Sequence, residues 1–228
     1  AAAVRNRLDA LTDRLIGAPA LRGAGPVRAL GLVHTPNDVF PAGYPGMRAF
    51  DAMLELELLD EAPDMSPLIE AVRGVGDALE ELVQRDLSCA IAGIPHPIMP
   101  ITSGRLKPSR YQYLMRRRAG TTHVQYLDYY FHHHKRFGFC APRHDGYTQF
   151  HVDVDASAAA AAATGFGLHR VDSVSEFHLE SLAAWRAAME ANADQEAVTR
   201  DSIADEELFM DRRNSVAWVG DTLFVKGD

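Results

Sequence analysis

The stretch "GYTQFHVDVD", residues 146–155, sets Tyr147, Gln149 and His151 at two-residue spacing, with Thr148, Phe150 and Val152 between them. Successive side chains of an extended chain point to opposite faces. The stretch therefore predicts a strand over 147–154 that carries a phenol, an amide and an imidazole in a row on one side. The neighbouring segments supply the rest of a fold. "RYQYLMRRR" (110–118) reads as a strand, and "TTHVQYLDYYFHHHKRF" (121–137) as a helix opened by a threonine cap. Beyond the 147–154 strand, "SAAAAAATGFG" reads as a flexible, small-residue loop. "HRVDSVSEFHLE" (169–180) then reads as a strand, "SLAAWRAAMEAN" (181–192) as a helix and "NSVAWVGDTLFVKG" (214–227) as one or two strands.

The order β-α-β-β-α-β over residues 110–225 is the split-βαβ, ferredoxin-like pattern. The expected fold class is α+β, with an antiparallel sheet that carries its helices on one face and needs a partner sheet on the other. If the apolar set Thr148, Phe150 and Val152 turns to the helices, then Tyr147, Gln149 and His151 look into the hollow between two packed sheets.

Residues 4–16, "VRNRLDALTDRLI", place Val4, Leu8, Leu11 and Leu15 on one side of a short helix. A strand is expected at 27–34, followed by the irregular loop "TPNDVFPAGYPG" (35–46), long enough to cover a pocket. "FDAMLELELLD" (50–60) alternates Met53, Glu55 and Glu57 against Leu54, Leu56 and Leu58, which predicts a strand with one apolar face. Ser66-Pro67 starts a helix that runs to about Arg85, and "SCAIAGIPHPIMP" (88–100) is a strand ended by its prolines. "FDAMLELEL" (50–58) and "VDSVSEFHL" (171–179) share Asp, Glu and Leu at the second, sixth and ninth positions, and each precedes a helix and a strand. On this reading residues 1–104 are an N-terminal helix plus a shortened, degenerate ferredoxin-like unit. Residues 105–228 are a full unit, and the two pack sheet to sheet as an internal tandem.

Composition narrows the function classes. An apolar fraction of 47% and a charged fraction of 24% over 228 residues belong to an ordinary globular chain with a real core. A net charge of −8 argues against a nucleic-acid surface, and Arg116-Arg117-Arg118 is short enough to be a solvated strand end. Cys89 and Cys140 lack metal or disulfide-framework spacing, and the N-terminal stretch reads as neither a secretory signal nor a membrane span. The setting expected is a reducing cytoplasm. There is no phosphate-cradling Gly-rich loop in a strand–turn–helix context and no Gly-x-Ser-x-Gly elbow, so nucleotide-dependent and acyl-serine chemistry are disfavoured.

The second half resembles the EthD family of the dimeric α+β barrel superfamily. The helix "YLDYYFHHH" is similar to that family's pattern of an aromatic residue, Tyr-aromatic three residues on and His four beyond, here Tyr126, Tyr129-Tyr130 and His134. "YTQFH" is similar to its Tyr-x-Gln-x-His strand, "VDSVSEFHLESLAAWRAAM" to its Asp-x-x-x-Glu strand and following helix, and "ADEELFMDRRNSV" to its Asp-Glu-x-x-Phe-x-Asp tail. The four motifs occur in the family's order over about residues 110–225. Family members are usually about half this length, and the first 100 residues carry no motif beyond the faint repeat. The resemblance implies a cofactor-independent enzyme of lyase, cyclase, dehydratase or isomerase type acting on a small aromatic or polyketide-like oxygenated molecule. A homodimer is the expected assembly. The rivals are a non-catalytic small-molecule-binding accessory protein and a haem-binding barrel, although no haem-ligand signature is recognisable.

His151 is the leading general acid or base, since imidazole titrates near neutral pH unaided. Tyr147 can meet a developing oxyanion, and Gln149 can hold a substrate in orientation. Tyr126, Tyr130 and His134 share a helix face at i, i+4 and i+8, with His134 as a second acid/base group. Arg116 or Arg118 can hold a substrate carboxylate. His132 and His133 read as a wet helix terminus. Asp51, Glu55 and Glu57 are available to supply a carboxylate to the cavity, although Glu55 with Glu57 better fits a solvated face or a helix-facing salt bridge. A metal set of His134 with His151 and Asp153 is imaginable, but His151 and Asp153 are its only strand pair on a shared face, and no metal or cofactor is expected. His96, between two prolines, reads as loop punctuation in a rigid extended segment.

Overall fold

The computed structural model describes residues 2–38, 40, 50–59, 64–101, 107–141, 144–167 and 171–227. Its strands are β1 (Val27–His34), β2 (Ala52–Leu58), β3 (Gly93–Met99), β4 (Ser109–Met115), β5 (Tyr147–Val152), β6 (Ser173–Leu179) and β7 (Val216–Lys226). They form one curled antiparallel sheet, a half-barrel, in the order β2-β1-β7-β4-β6-β5-β3. Its middle, β7-β4-β6-β5, is built by the segment that the sequence marked as β-α-β-β-α-β, with the first and third of those strands innermost. The α+β class and the antiparallel pairing are as expected.

The helices are α1 (Ala2–Ile16), α2 (Ser66–Ala71), α3 (Val75–Ala78), α4 (His123–His132), α5 (Val154–Thr164), α6 (Leu182–Ala191) and α7 (Gln195–Phe209). One face of the central strands packs on α4, α6 and α7. Tyr126, Tyr130, Trp185 and Phe209 from the helices meet Tyr111, Tyr113, Met115, Tyr147, Phe177, Leu179, Ala217 and Val219 from the sheet. The opposite face gathers Leu30, Leu32, Leu114, Val174, Val216 and Trp218 from four strands, with Met53 and Phe150 against them. This second face is the inner one. The curl turns β2 toward β4, and Glu55 meets Arg110 across the two strands between them. On the outer side of the β1–β2 pair, Leu54 and Leu56 pack on Leu11, Leu15, Val75 and Leu79, which is the apolar face expected of β2.

Four sequence expectations are corrected by this architecture. Residues 1–104 do not build a facing sheet: β1 and β2 extend one edge of the single sheet and β3 extends the other. The boundary near residue 104 falls within 102–106, outside the described residues, as does most of the loop at 35–46. Second, the Ala-rich loop is helix α5. Asp153 caps it by accepting from the Ala156 N–H at 2.9 Å, and Gly165 ends it in the left-handed region at φ 73°. Alanine has the highest helix propensity and carries no side-chain entropy cost, but a run of it shows no apolar stripe by which periodicity can detect a helix. Third, the helix expected over 66–85 breaks at Gly74, whose φ of 72° separates α2 from α3 and lets its N–H reach the Ala163 carbonyl of α5. Fourth, β3 runs through Pro95 and Pro97 rather than ending at them. It is an edge strand, where a residue without an N–H does no harm on the unpaired side. Helix α7 was not anticipated.

Asp153→Ala removes the α5 cap and is expected to lower stability by about 1 kcal/mol, read as a shifted denaturant midpoint with unchanged slope. An unchanged midpoint would mean that α5 needs no cap.

Candidate functional site

The row Tyr147, Gln149 and His151 lies on the helix-packed face, the reverse of its expected direction. Tyr147 and Gln149 are fully buried. The Gln149 amide donates to the Tyr147 hydroxyl at 2.8 Å and to the Tyr130 carbonyl of α4 at 3.2 Å. The Tyr126 hydroxyl pairs with Ser173 at 2.6 Å. Burial pushes the Tyr126, Tyr130 and Tyr147 hydroxyls up, so they stay neutral. The physical reason for the reversal is the chemistry of the partner surface. A polar row settles on whichever side offers matching groups, and α4 presents phenols and a backbone carbonyl. Phe150 turns inward among aliphatic residues, and Thr148 stands opposite Glu176.

His151 is half-buried, with its Nε2 3.3 Å from Gln149 Oε1 and its ring beside His96, Tyr130 and Phe131. Burial, then His96 and His123, push it down to about 4, so it is neutral at ordinary pH. His134 is buried and pairs through Nδ1 with Asp205 of α7 at 2.8 Å, which joins the helix motif to the tail motif. Asp205 also accepts from Tyr129 at 3.0 Å and Arg136 at 2.7 Å. Burial lowers His134 despite the attraction of Asp205. Tyr130 stands between the His134 and His151 rings, at 6.0 and 5.9 Å from each. Arg116 and Arg118 are not brought to this row. They follow β4 toward α7, where the Arg116 carbonyl accepts from Asp211 and the Arg118 side chain donates to the Glu207 carbonyl. Asp153 is occupied as the α5 cap. Among the described residues no three His, Cys, Asp or Glu side chains lie close enough to hold a metal ion.

The inner face carries a constellation that sequence reasoning did not assemble. The antiparallel register sets Gln112 opposite both Trp218 and Glu176, and Arg110 opposite both Gly220 and His178. Arg110 Nη1 donates to Glu176 at 3.0 Å and to Glu55 at 3.1 Å. Gln112 Nε2 donates to Glu176 at 2.9 Å, and His178 Nε2 lies 3.3 Å from the same carboxylate. Alongside, Glu57 pairs with Arg28. Arg110, Gln112 and His178 are 3%, 3% and 4% exposed, so the network is internal, whereas the Glu55 side chain at 34% opens to solvent. The Trp218 ring lies over Gly220, where an added Cβ would sit 2.9 Å from it. Among the described residues four buried atoms of this patch have no hydrogen-bond partner: Arg110 Nε, Gln112 Oε1, His178 Nδ1 and Trp218 Nε1. Unsatisfied buried polar groups are costly, and four of them converge on one face beside an aliphatic wall.

The two carboxyls that share Arg110 are pushed apart. Burial opposes the ionisation of Glu176, but Arg110, His178 and Gln112 outweigh it and hold the carboxyl down at about 2. Glu55, only partly exposed, is raised by its incomplete hydration first and then by Glu176 and Glu57, against the pull of Arg110. Paired carboxyls with divergent proton affinities are the usual basis for a division into proton carrier and fixed charge. No protein-family model matches the chain. No curated protein sequence matches it either.

The missed residues had a signal. Arg110 and Gln112 alternate with Tyr111 and Tyr113, and Glu176 and His178 with Ser175 and Phe177, so two strands each put charge or amide on one face. Once those strands are central, such groups cannot reach solvent at a sheet edge and must find each other.

Arg110→Met leaves two carboxylates without their shared cation and is expected to cost about 3–5 kcal/mol. The triple substitution Arg110→Met, Glu55→Gln, Glu176→Gln should recover part of that loss. The folded state holds Glu176 below its ordinary value of 4.5, so its contribution is present above pH 4.5 and is lost as pH falls to about 2. Thermal melts across that window should slope for the wild type and flatten for Glu176→Gln; equal slopes would contradict the assignment.

Proposed function

We propose that this chain is a cofactor-independent acid/base enzyme of lyase, cyclase or isomerase type. Its reacting groups are those of the inner sheet face, and its substrate is a small, mostly apolar, oxygenated molecule of aromatic or polyketide-like kind. The observation that carries this reading is the sharing of one buried guanidinium by two carboxyls, Glu176 in the interior and Glu55 where the network opens to solvent. Glu55, with its raised proton affinity and its access to solvent, takes and returns the proton. Glu176 stays ionised and fixes Arg110. The unpartnered donors Arg110 Nε and Trp218 Nε1 suit an oxygen on which negative charge develops, and donors of that kind act most strongly in a dry site. Gln112 Oε1 can accept from a substrate hydroxyl. Leu30, Leu32, Met53, Leu114, Val174 and Phe150 supply the apolar wall for the carbon skeleton. The resemblance of residues 110–225 to EthD proteins supports the same reaction range.

The same reading takes the working form to be a cytoplasmic homodimer. No described helix is long and apolar enough to cross a membrane. The free thiols Cys89 and Cys140 suit a reducing compartment. A second copy would close the half-barrel between its two edge strands.

Proton abstraction is measurable before the natural substrate is known. In deuterated buffer, the purified chain is expected to speed exchange at the carbon next to the carbonyl of the bicyclic aryl ketone α-tetralone, followed by proton NMR. Glu55→Gln should lower the accelerated rate by roughly 100-fold while the fold, followed by circular dichroism, is retained. Exchange at the buffer rate in a sample that binds the ketone would replace catalysis with a carrier role. Full activity in folded Glu55→Gln would remove Glu55 from the chemistry.

A further inference from the structure

The outer face holds a pair of imidazoles that the inner-face chemistry does not use. His96 on β3 and His151 on β5 are diagonal neighbours, since His96 stands opposite Gln149 and Ile94 opposite His151. Their ring centroids are 4.2 Å apart at an interplanar angle of 43°. Phe131 of α4 meets both rings edge-on, at 5.7 Å from His96 and 5.6 Å from His151. Pro95 and Pro97 flank His96 and limit its backbone. The pair is thus held by a proline-stiffened edge strand on one side, the β5–β6 ladder on another, and a helix ring above.

Both rings have coordinating capacity to spare. Among the described residues neither nitrogen of His96 takes part in a hydrogen bond, and His151 makes only the 3.3 Å contact of Nε2 with Gln149. Burial holds His96 below its ordinary value, and burial, His96 and His123 do the same for His151, so both present neutral lone pairs at pH 7. His123, the other imidazole facing His151, is committed: Nδ1 lies 2.9 Å from Asp172 and Nε2 lies 2.8 Å from the Val152 carbonyl. Both members of the pair are half-buried rather than sealed, so solvent reaches them.

We propose that His96 and His151 form a two-imidazole site for a divalent transition metal that favours right-angle nitrogen ligation, copper(II) above all. The separation of the rings favours one class of metal. With metal–nitrogen bonds of about 2.0–2.1 Å and the ring centre roughly 1.1 Å further on, two imidazoles at 90° have centroids roughly 4.5 Å apart, and at the tetrahedral angle roughly 5.1 Å. The observed 4.2 Å lies nearer the first, the angle of square-planar and octahedral metals, to which copper(II) and nickel(II) with nitrogen ligands belong, rather than of tetrahedral zinc. With no third protein ligand among the described residues, the remaining positions fall to water or to an added ligand.

The test is a copper(II) titration of the whole chain, read by electron paramagnetic resonance. One tight site is expected, with hyperfine coupling to two equatorial imidazole nitrogens. His96→Gln and His151→Gln should each weaken it by more than the roughly tenfold that follows loss of an outer contact. His132→Asn with His133→Asn, on the exposed end of α4, should leave it unchanged. Zinc(II) should compete poorly. The proposal is overturned if the two glutamine variants, folded by circular dichroism, bind copper as the wild type does. A spectrum with a single coupled nitrogen, or a tight site lost only in the His132/His133 variant, overturns it as well.

Discussion

The Arg110 guanidinium ties three strands together. It sits on β4 near the centre of the sheet, holds Glu176 on the adjacent β6, and reaches Glu55 on β2 at the far edge. Charges so deep in a sheet lose their hydration, and the mutual attraction has to offset that cost. The neighbours assist: Gln112 and His178 both turn to Glu176, so its oxygens are satisfied on more than one side. The curl of the sheet and this ion triad require each other. A flat sheet would leave Glu55 out of reach, and a curled sheet without Arg110 would bring two carboxylates together with no cation between them.

That constraint also explains the division of labour between the two faces. The outer face is dominated by aromatic residues from α4, α6 and α7, where Gln149 pairs with Tyr147 and Tyr126 with Ser173, while Tyr130 Oη and Trp185 Nε1 have no hydrogen-bond partner among the described residues. The inner face is aliphatic at one end and charged at the other, and its polar atoms are only partly matched. A fully satisfied polar network specifies a core, whereas a partly satisfied one leaves room for a further partner. The inner face is distinguished by gathering its unmatched atoms around an ion triad, and that favours it as the site.

Much of the fold was legible in the sequence, for identifiable reasons. β1 falls at 27–34 as expected, β2 shows its apolar face in the Leu54–Leu56–Leu58 alternation, and α4 begins after the Thr122 cap with its Gln125 partner. Two-residue and four-residue spacings record local geometry directly. Which way a strand faces is not local. The Tyr147–Gln149–His151 row has the right period, but its direction was settled by α4, whose buried phenols and carbonyl lie far off in sequence. The site suffered more from this limit than the fold did. Glu55 is available from the sequence as a cavity carboxylate but better fits a solvated or helix-facing residue, because Arg110 is 55 positions away and nothing in either segment announces the other. Helix α5 escaped notice for a different reason, since an alanine run is apolar all round.

The central claim is that two carboxyls sharing one guanidinium are displaced in opposite directions, Glu176 downward and Glu55 upward. Carbon-13 NMR of the glutamate carboxyls, titrated from neutral to acid pH, reads each group separately. The account predicts that Glu176 keeps its charge to about pH 2 while Glu55 gains its proton above the ordinary 4.5. A pair titrating together near the ordinary value would contradict it.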